Sequence, residues 1–169
     1  MQTTNKIVQE NRLAGNPPTE WDINGAGDPS IQGFGHDISV NLGETIYFKI
    51  KTDSTDYRID IYRMGYYGGM GARRVDTIKP SVPLPQQQPE GLRDPDTRLY
   101  DCGNWAVSAS WSVPADATSG VYFARLVRQD SAPASWRTDN SQEEPAEKPP
   151  SGPHAYGARK HCAQPLQKL

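Results

Sequence analysis

Short runs of alternating apolar and polar residues, separated by turn-forming residues, recur through the middle of this chain. They constrain its fold more than any other feature. Ile46, Phe48 and Ile50 alternate with Tyr47, Lys49 and Lys51, and Ile38, Val40 and Leu42 alternate with polar neighbours. Tyr57, Ile59 and Ile61 share one parity. Trp105, Val107, Ala109, Trp111 and Val113 form another set, with Ala106, Ser108, Ser110 and Ser112 between them. Val121 and Phe123 oppose Tyr122, Ala124 and Leu126. Successive side chains of a strand point to opposite faces, so each run reads as a half-buried antiparallel strand. The intervening segments carry turn chemistry: Asn41-Leu-Gly-Glu, Asp53-Ser-Thr-Asp, Gly65-Tyr-Tyr-Gly-Gly-Met-Gly and Pro114-Ala-Asp-Ala-Thr-Ser-Gly.

Six or seven such strands in about 100 residues is the scale of an immunoglobulin- or fibronectin-type sandwich. The expected fold is therefore all-β, an antiparallel β-sandwich. Fifteen Gly and fifteen Pro among 169 residues argue against an all-helical alternative. Tyr122, just after Gly120-Val121, is placed to return its hydroxyl to the corner backbone, as sandwiches of this class often do.

The domain plan has three parts. Residues 1–29 form an N-terminal arm, in which a short helix near residues 6–13 and an extended strap fit equally well. Residues 30–130 form the sandwich and include a Pro-rich, polyproline-like loop at 79–96. Residues 131–169 form a tail without Val, Ile or Phe. Such a tail buries too little apolar surface to offset its ordering entropy and is expected to be disordered.

Charge is balanced, with a formal net charge of −2, so no bulk electrostatic attraction to nucleic acid or to an anionic membrane is expected. No apolar run of about 18 residues and no apolar signal core is visible, which makes a cytoplasmic location the default.

Candidate chemistry is sparse. His36, beside Asp37, is the one histidine of the sandwich and reads as a surface residue. His154 and His161 lie in the tail. Without a base and an orienting group beside a nucleophile, no catalytic residue is assigned. Cys102 has no neighbour that would depress its pKa and reads as a buried, inert thiol. Asp22, Asn24 and Asp28 place oxygen ligands at a spacing like that of calcium loops, without the distal Glu; they are the weak calcium candidate. His154, His161 and Cys162 offer too few sulfur ligands for a zinc site. The most unusual segment is Ile59-Asp-Ile-Tyr-Arg-Met-Gly-Tyr-Tyr-Gly-Gly-Met-Gly-Ala-Arg-Arg. Tyr and Arg are enriched where proteins dock, so Tyr62, Arg63, Tyr66, Tyr67, Arg73 and Arg74 are the candidate partner-binding surface. Exposed Trp and Tyr also leave a carbohydrate-binding sandwich open.

Several strings carry a family resemblance. They are Lys6-Ile-Val-Gln-Glu-Asn-Arg-Leu-Ala-Gly, Trp21-Asp-Ile-Asn-Gly-Ala-Gly-Asp, Ile31-Gln-Gly-Phe, Ile38-Ser-Val-Asn-Leu-Gly-Glu-Thr, Phe48-Lys-Ile-Lys-Thr, Tyr57-Arg-Ile-Asp-Ile-Tyr-Arg-Met-Gly-Tyr-Tyr-Gly-Gly and Gly120-Val-Tyr-Phe-Ala-Arg-Leu-Val-Arg. Together, over residues 6–130, they resemble the amino-terminal part of proteins similar to the large (beta) subunit of N,N-dimethylformamidase. The resemblance implies an immunoglobulin-like module followed by a longer catalytic region, associated with amide hydrolysis and with mononuclear iron held by tyrosine and glutamate. That region would begin after this block. No iron ligand is therefore carried onto this chain, and no cofactor is expected in it. The expected role is a non-catalytic module that docks on a catalytic region or partner subunit; assignment as an amide hydrolase would come by family transfer. The polar stretch from about Trp136 departs from the apolar strand expected there. It reads as out-of-frame or alternatively spliced sequence, and the chain as truncated.

Overall fold

The computed structural model describes residues 5–23 and 27–130. The tail at 131–169, with His154, His161 and Cys162, and Asn24 lie outside the described residues. The chain opens with two short helices, α1 (Lys6–Glu10) and α2 (Pro18–Trp21). Eight strands follow: β1 (Ile31–Gly35), β2 (Thr45–Thr52), β3 (Tyr57–Met64), β4 (Ala72–Ile78), β5 (Leu92–Arg93), β6 (Tyr100–Asp101), β7 (Ala109–Ser112) and β8 (Tyr122–Arg128).

The strands form an all-β sandwich. One antiparallel sheet runs β1-β2-β7, the other β4-β3-β8, and β5 and β6 make a separate small ribbon. The core lies between the two large sheets. Ile46, Phe48 and Ile50 from β2 meet Tyr57, Ile59 and Ile61 from β3, with Trp111, Tyr122 and Ala124 closing the layer. These are the parities that the alternation assigns to the interior. Burying each of these isoleucines contributes about 1.5–3 kcal/mol.

Two sequence expectations are corrected. Ile38, Val40 and Leu42 do not form a strand: Ile38 is 87% exposed and Val40 alone of the three packs on the core. Both sides of β2 are taken, by β1 and β7, so 38–42 does not pair with the strand that follows it. The unanticipated β1 occupies that place. Gly33 allows it to approach, since a Cβ there would sit 2.7 Å from the Ile50 side chain and from the Lys49 carbonyl. The second correction concerns the run 105–113. It is a strand only over β7; Val107 is exposed whereas Ser108 is fully buried. Ahead of β7 the buried Gln88 of the Pro-rich loop bridges the Ile50 and Ala106 carbonyls at 3.0 and 2.9 Å and accepts from the Ala106 N–H at 2.9 Å. The Ser108 hydroxyl accepts from the Ile50 N–H at 2.8 Å.

The corner expectation holds. The Tyr122 hydroxyl donates to the Thr118 carbonyl at 2.6 Å. Between β3 and β4 the register shifts by one residue after Ile61↔Asp76, leaving Val75 unpaired and setting Tyr62 opposite Arg74. Such a bulge bends the strand and re-aims the residues beyond it. Here those are the ones that carry the β3–β4 loop.

Candidate functional site

The loop between β3 and β4 turns through a single 3-10 turn at Tyr67–Gly69. Gly68, Gly69 and Gly71 have φ of 65°, 92° and 83°, and Tyr67 itself has φ 41°. A left-handed conformation costs a non-glycine residue about 1–2 kcal/mol. At Tyr67 this conformation accompanies burial of the ring: the residue is almost fully buried. Its hydroxyl accepts from the Arg63 guanidinium and donates to the Glu10 carboxylate, each at 3.0 Å. Glu10 also accepts from Arg73 Nε and Nη2 at 2.9 and 2.6 Å. Arg63 continues from this knot to the corner, donating to the Thr118 and Ser119 carbonyls at 3.1 and 2.8 Å. Burial pushes the Tyr67 hydroxyl pKa up, with the Arg63 hydrogen bond opposing. For Arg73 burial acts downward, but hydrogen bonding and attraction to Glu10 outweigh it and raise the pKa.

The N-terminal arm is the other wall of this site. An N-cap at Asn5, which accepts from the Ile7 N–H at 2.9 Å, starts α1 and delivers Glu10. Asn11 accepts the Tyr66 N–H at 2.7 Å. Asn16 exchanges backbone and side-chain bonds with β4, to the Ala72 carbonyl at 2.9 Å and from the Arg74 N–H at 2.8 Å. Trp21 lies against Gly71, where a Cβ would be 2.8 Å from its ring, and tilts over Phe123 at 6.1 Å. Phe123 in turn stacks on Tyr62 at 5.3 Å.

The six candidate partner-binding residues therefore part company. Tyr62, Arg63 and Tyr67 are buried, Arg73 is half-buried in the Glu10 pair, and Tyr66 and Arg74 are exposed. Arg74 reaches toward the buried Asp60 at 3.7 Å. Tyr66, 72% exposed, stands on a shallow depression shared with Val8, Leu13 and Met70, all of them exposed apolar side chains. The sequence reading missed Val8, Glu10, Asn11 and Leu13. The Asn-capped run Asn5-Lys-Ile-Val-Gln-Glu was the signal that could have found them.

Tyr67 with Glu10 matches in residue type the tyrosine–glutamate set implied for iron, but not in chemistry. Two guanidinium groups, Arg63 and Arg73, already donate into this pair. A cation there would face two positive charges, so the residues do not fit a metal. Asp22 ends α2, and the Asp28 carboxylate accepts the Ser30 N–H and hydroxyl at 2.9 and 2.6 Å; the third member of the calcium candidate, Asn24, is outside the described residues. Among the described residues no three His, Cys, Asp or Glu side chains converge to hold a metal ion. His36 is exposed, as expected of a surface residue. Cys102 is buried but is not a free thiol, which overturns its reading as an inert one. Trp105 and Trp111 are buried in the sandwich, and Trp21 of the arm packs against Gly71 and Phe123. Among the described residues no helix is long and apolar enough to cross a membrane.

No curated protein and no solved structure matches the chain significantly. A family model described as "N,N-dimethylformamidase beta subunit-like, C-terminal" matches residues 58–146, from β3 through the end of the sandwich and past Trp136. Its description reads C-terminal, where the motifs resembled an amino-terminal part. The match covers more than half of the chain, which therefore belongs to the N,N-dimethylformamidase beta subunit-like family.

Proposed function

We propose that this chain is a non-catalytic β-sandwich module of a dimethylformamidase-like protein, docking on the catalytic region or a neighbouring subunit. The observation that carries this is Tyr66. Its backbone is pinned by Asn11 at 2.7 Å, yet its side chain is left in solvent beside Val8, Leu13 and Met70. A rigidly held tyrosine amid apolar neighbours loses little entropy on contact and is the residue type that anchors interfaces. The arm and the β3–β4 loop build the surface jointly, and the Glu10, Arg73, Tyr67 and Arg63 side chains hold the two together from beneath. The arginines thus act as the mount of the docking face, with Tyr66 as its contact.

The test is a binding measurement against the catalytic polypeptide of a dimethylformamidase-like enzyme. Tyr66→Ala is expected to weaken binding by about tenfold or more, with unchanged stability of the module. Equal affinity of the two forms would remove Tyr66 from the reading. Hydrolysis of a linear amide by the purified chain supplied with iron would overturn the non-catalytic part.

A further inference from the structure

The other edge of the β4-β3-β8 sheet is built differently. β8 pairs with β3 along one side, and two bonds set the phase: Met64 N–H to the Val121 carbonyl and Gln129 N–H to the Asp56 carbonyl, both at 2.8 Å. In an antiparallel ladder, hydrogen-bonded pairs recur at every second residue. Residues 121, 123, 125, 127 and 129 therefore turn their peptide groups toward β3. The N–H and C=O groups of Tyr122, Ala124, Leu126 and Arg128 point the other way. Among the described residues no backbone group bonds to them.

Two neighbours give this edge a chemical preference. On the core side it borders, at its Tyr122 end, a groove lined by Val40, Leu42, Trp111, Val113 and Tyr122, and further along Leu126 packs half-buried on the core. On the outer face stands Arg125, opposite Asp60. The Asp60 carboxylate is already engaged by Arg58, Thr77 and Arg74. Arg125 Nε is buried without a hydrogen-bond partner. Two guanidinium groups thus already engage this carboxylate, and Arg125, opposite it in the ladder, has a donor to spare.

We propose that this edge of β8, which no described residue pairs, accepts an extended segment of another polypeptide by strand addition, with alternate apolar side chains over the groove and a carboxylate beside Arg125. Main-chain hydrogen bonds supply the affinity of such a site and alternate side chains its selectivity. A second copy of this chain is disfavoured as the occupant. Full antiparallel pairing of β8 with itself sets Arg125 against Arg125, and like charges directly opposite are destabilising. The surface is separate from the Tyr66 docking face, so neither rests on the other.

The probe is a fluorescein-labelled octapeptide with Val at the inward positions, Thr at the outward ones and a central outward Glu, titrated into the full chain by anisotropy. Saturable binding is expected, about tenfold weaker when Lys replaces Glu, with the preference reversed in Arg125→Glu and untouched in Tyr66→Ala. Bound peptide is expected to slow amide exchange at Ala124 and Leu126. Absence of saturable binding, equal binding of the Glu and Lys peptides, or protection confined to the arm would each overturn the proposal. So would a concentration-dependent dimer that protects the same amides without peptide.

Discussion

The carboxylate of Glu10 accepts two hydrogen bonds from Arg73, 63 residues away, at 2.9 and 2.6 Å. With the Asn16 bonds to Ala72 and Arg74, that contact ties an arm with no buried residue in either helix to the edge strand of a sheet.

The pair is largely screened from water, with side-chain exposures of 11% for Glu10 and 28% for Arg73. Removing Glu10 leaves Arg73 half-buried without its carboxylate and the Tyr67 hydroxyl without its acceptor. Glu10→Ala is expected to lower stability by about 2 kcal/mol, read as a fall in the urea midpoint. In a double-mutant cycle with Arg73→Ala the two changes are expected to be clearly sub-additive. Strict additivity would mean that the contact contributes nothing.

Gly71 and Gly43 have nearly the same φ, 83° and 80°, but different surroundings. A Cβ at 71 meets Trp21 at 2.8 Å, whereas one at 43 meets nothing within 4 Å. Gly43→Ala is expected to cost about 1 kcal/mol for conformation alone. Gly71→Ala should cost about 1–3 kcal/mol more through the displaced ring. A change of tryptophan emission in the second variant and not the first reports the arm lifting; identical behaviour of both would show that Trp21 does not press on the loop.

Asp130 closes the end of β8, accepting from Arg128 Nε at 3.0 Å, the Ser54 hydroxyl at 2.7 Å and the Thr55 N–H at 2.7 Å. Burial alone would raise its pKa; these hydrogen bonds and the Arg128 charge more than reverse that and hold it well below the ordinary 3.8. The folded state then binds the proton more weakly than the unfolded chain. The stabilisation is present above the ordinary carboxylate pKa and is lost as pH falls below it. Asp130→Asn should lower stability at neutral pH and flatten the acid limb of a stability–pH curve. An unchanged acid limb would assign that slope to other carboxylates.

Tyr57 gives the opposite sign at the alkaline end. Burial pushes its hydroxyl up to about 12 from 10.0, with Ser108 holding it back in part. The protonated form is favoured in the fold, so its contribution is complete below pH 10 and is lost as pH rises toward about 12. The hydroxyl is buried and meets no partner at full hydrogen-bonding geometry, so the Ser108 interaction is a weak one. Tyr57→Phe is therefore expected to be neutral or stabilising by up to about 1 kcal/mol and to weaken the alkaline loss. A clear loss of stability near neutral pH would show that the hydroxyl is engaged.

How legible the molecule was depended on the range of the interaction. β2, β3 and β8 were readable because an alternating pattern is local: Ile59 and Ile61 share a face whatever else the chain does. The Tyr122 corner was readable for the same reason, its bond spanning four residues. The failed strand at 38–42 carried just as good a pattern. What it lacked was a place beside β2, whose two sides are taken by strands from elsewhere in the chain. The Tyr- and Arg-rich loop was recognised as unusual, but exposure was credited to Arg63 and Tyr67, which the arm and the corner bury.

By itself the sequence determined the class of fold, the inward parity of the main strands, the corner tyrosine and the family. Each follows from residues close together or from motifs in order. The tertiary structure alone decided that β1 rather than 38–42 flanks β2, and that the arm shields the arginines and leaves Tyr66 outside. It also decided that, among the described residues, nothing pairs with the outer edge of β8 beside Arg125. These outcomes rest on the Glu10–Arg73 ion pair and on ladder pairings such as Asp60 opposite Arg125, whose partners are tens of residues apart. No local pattern encodes them, because burial of a polar group is settled by what arrives on top of it.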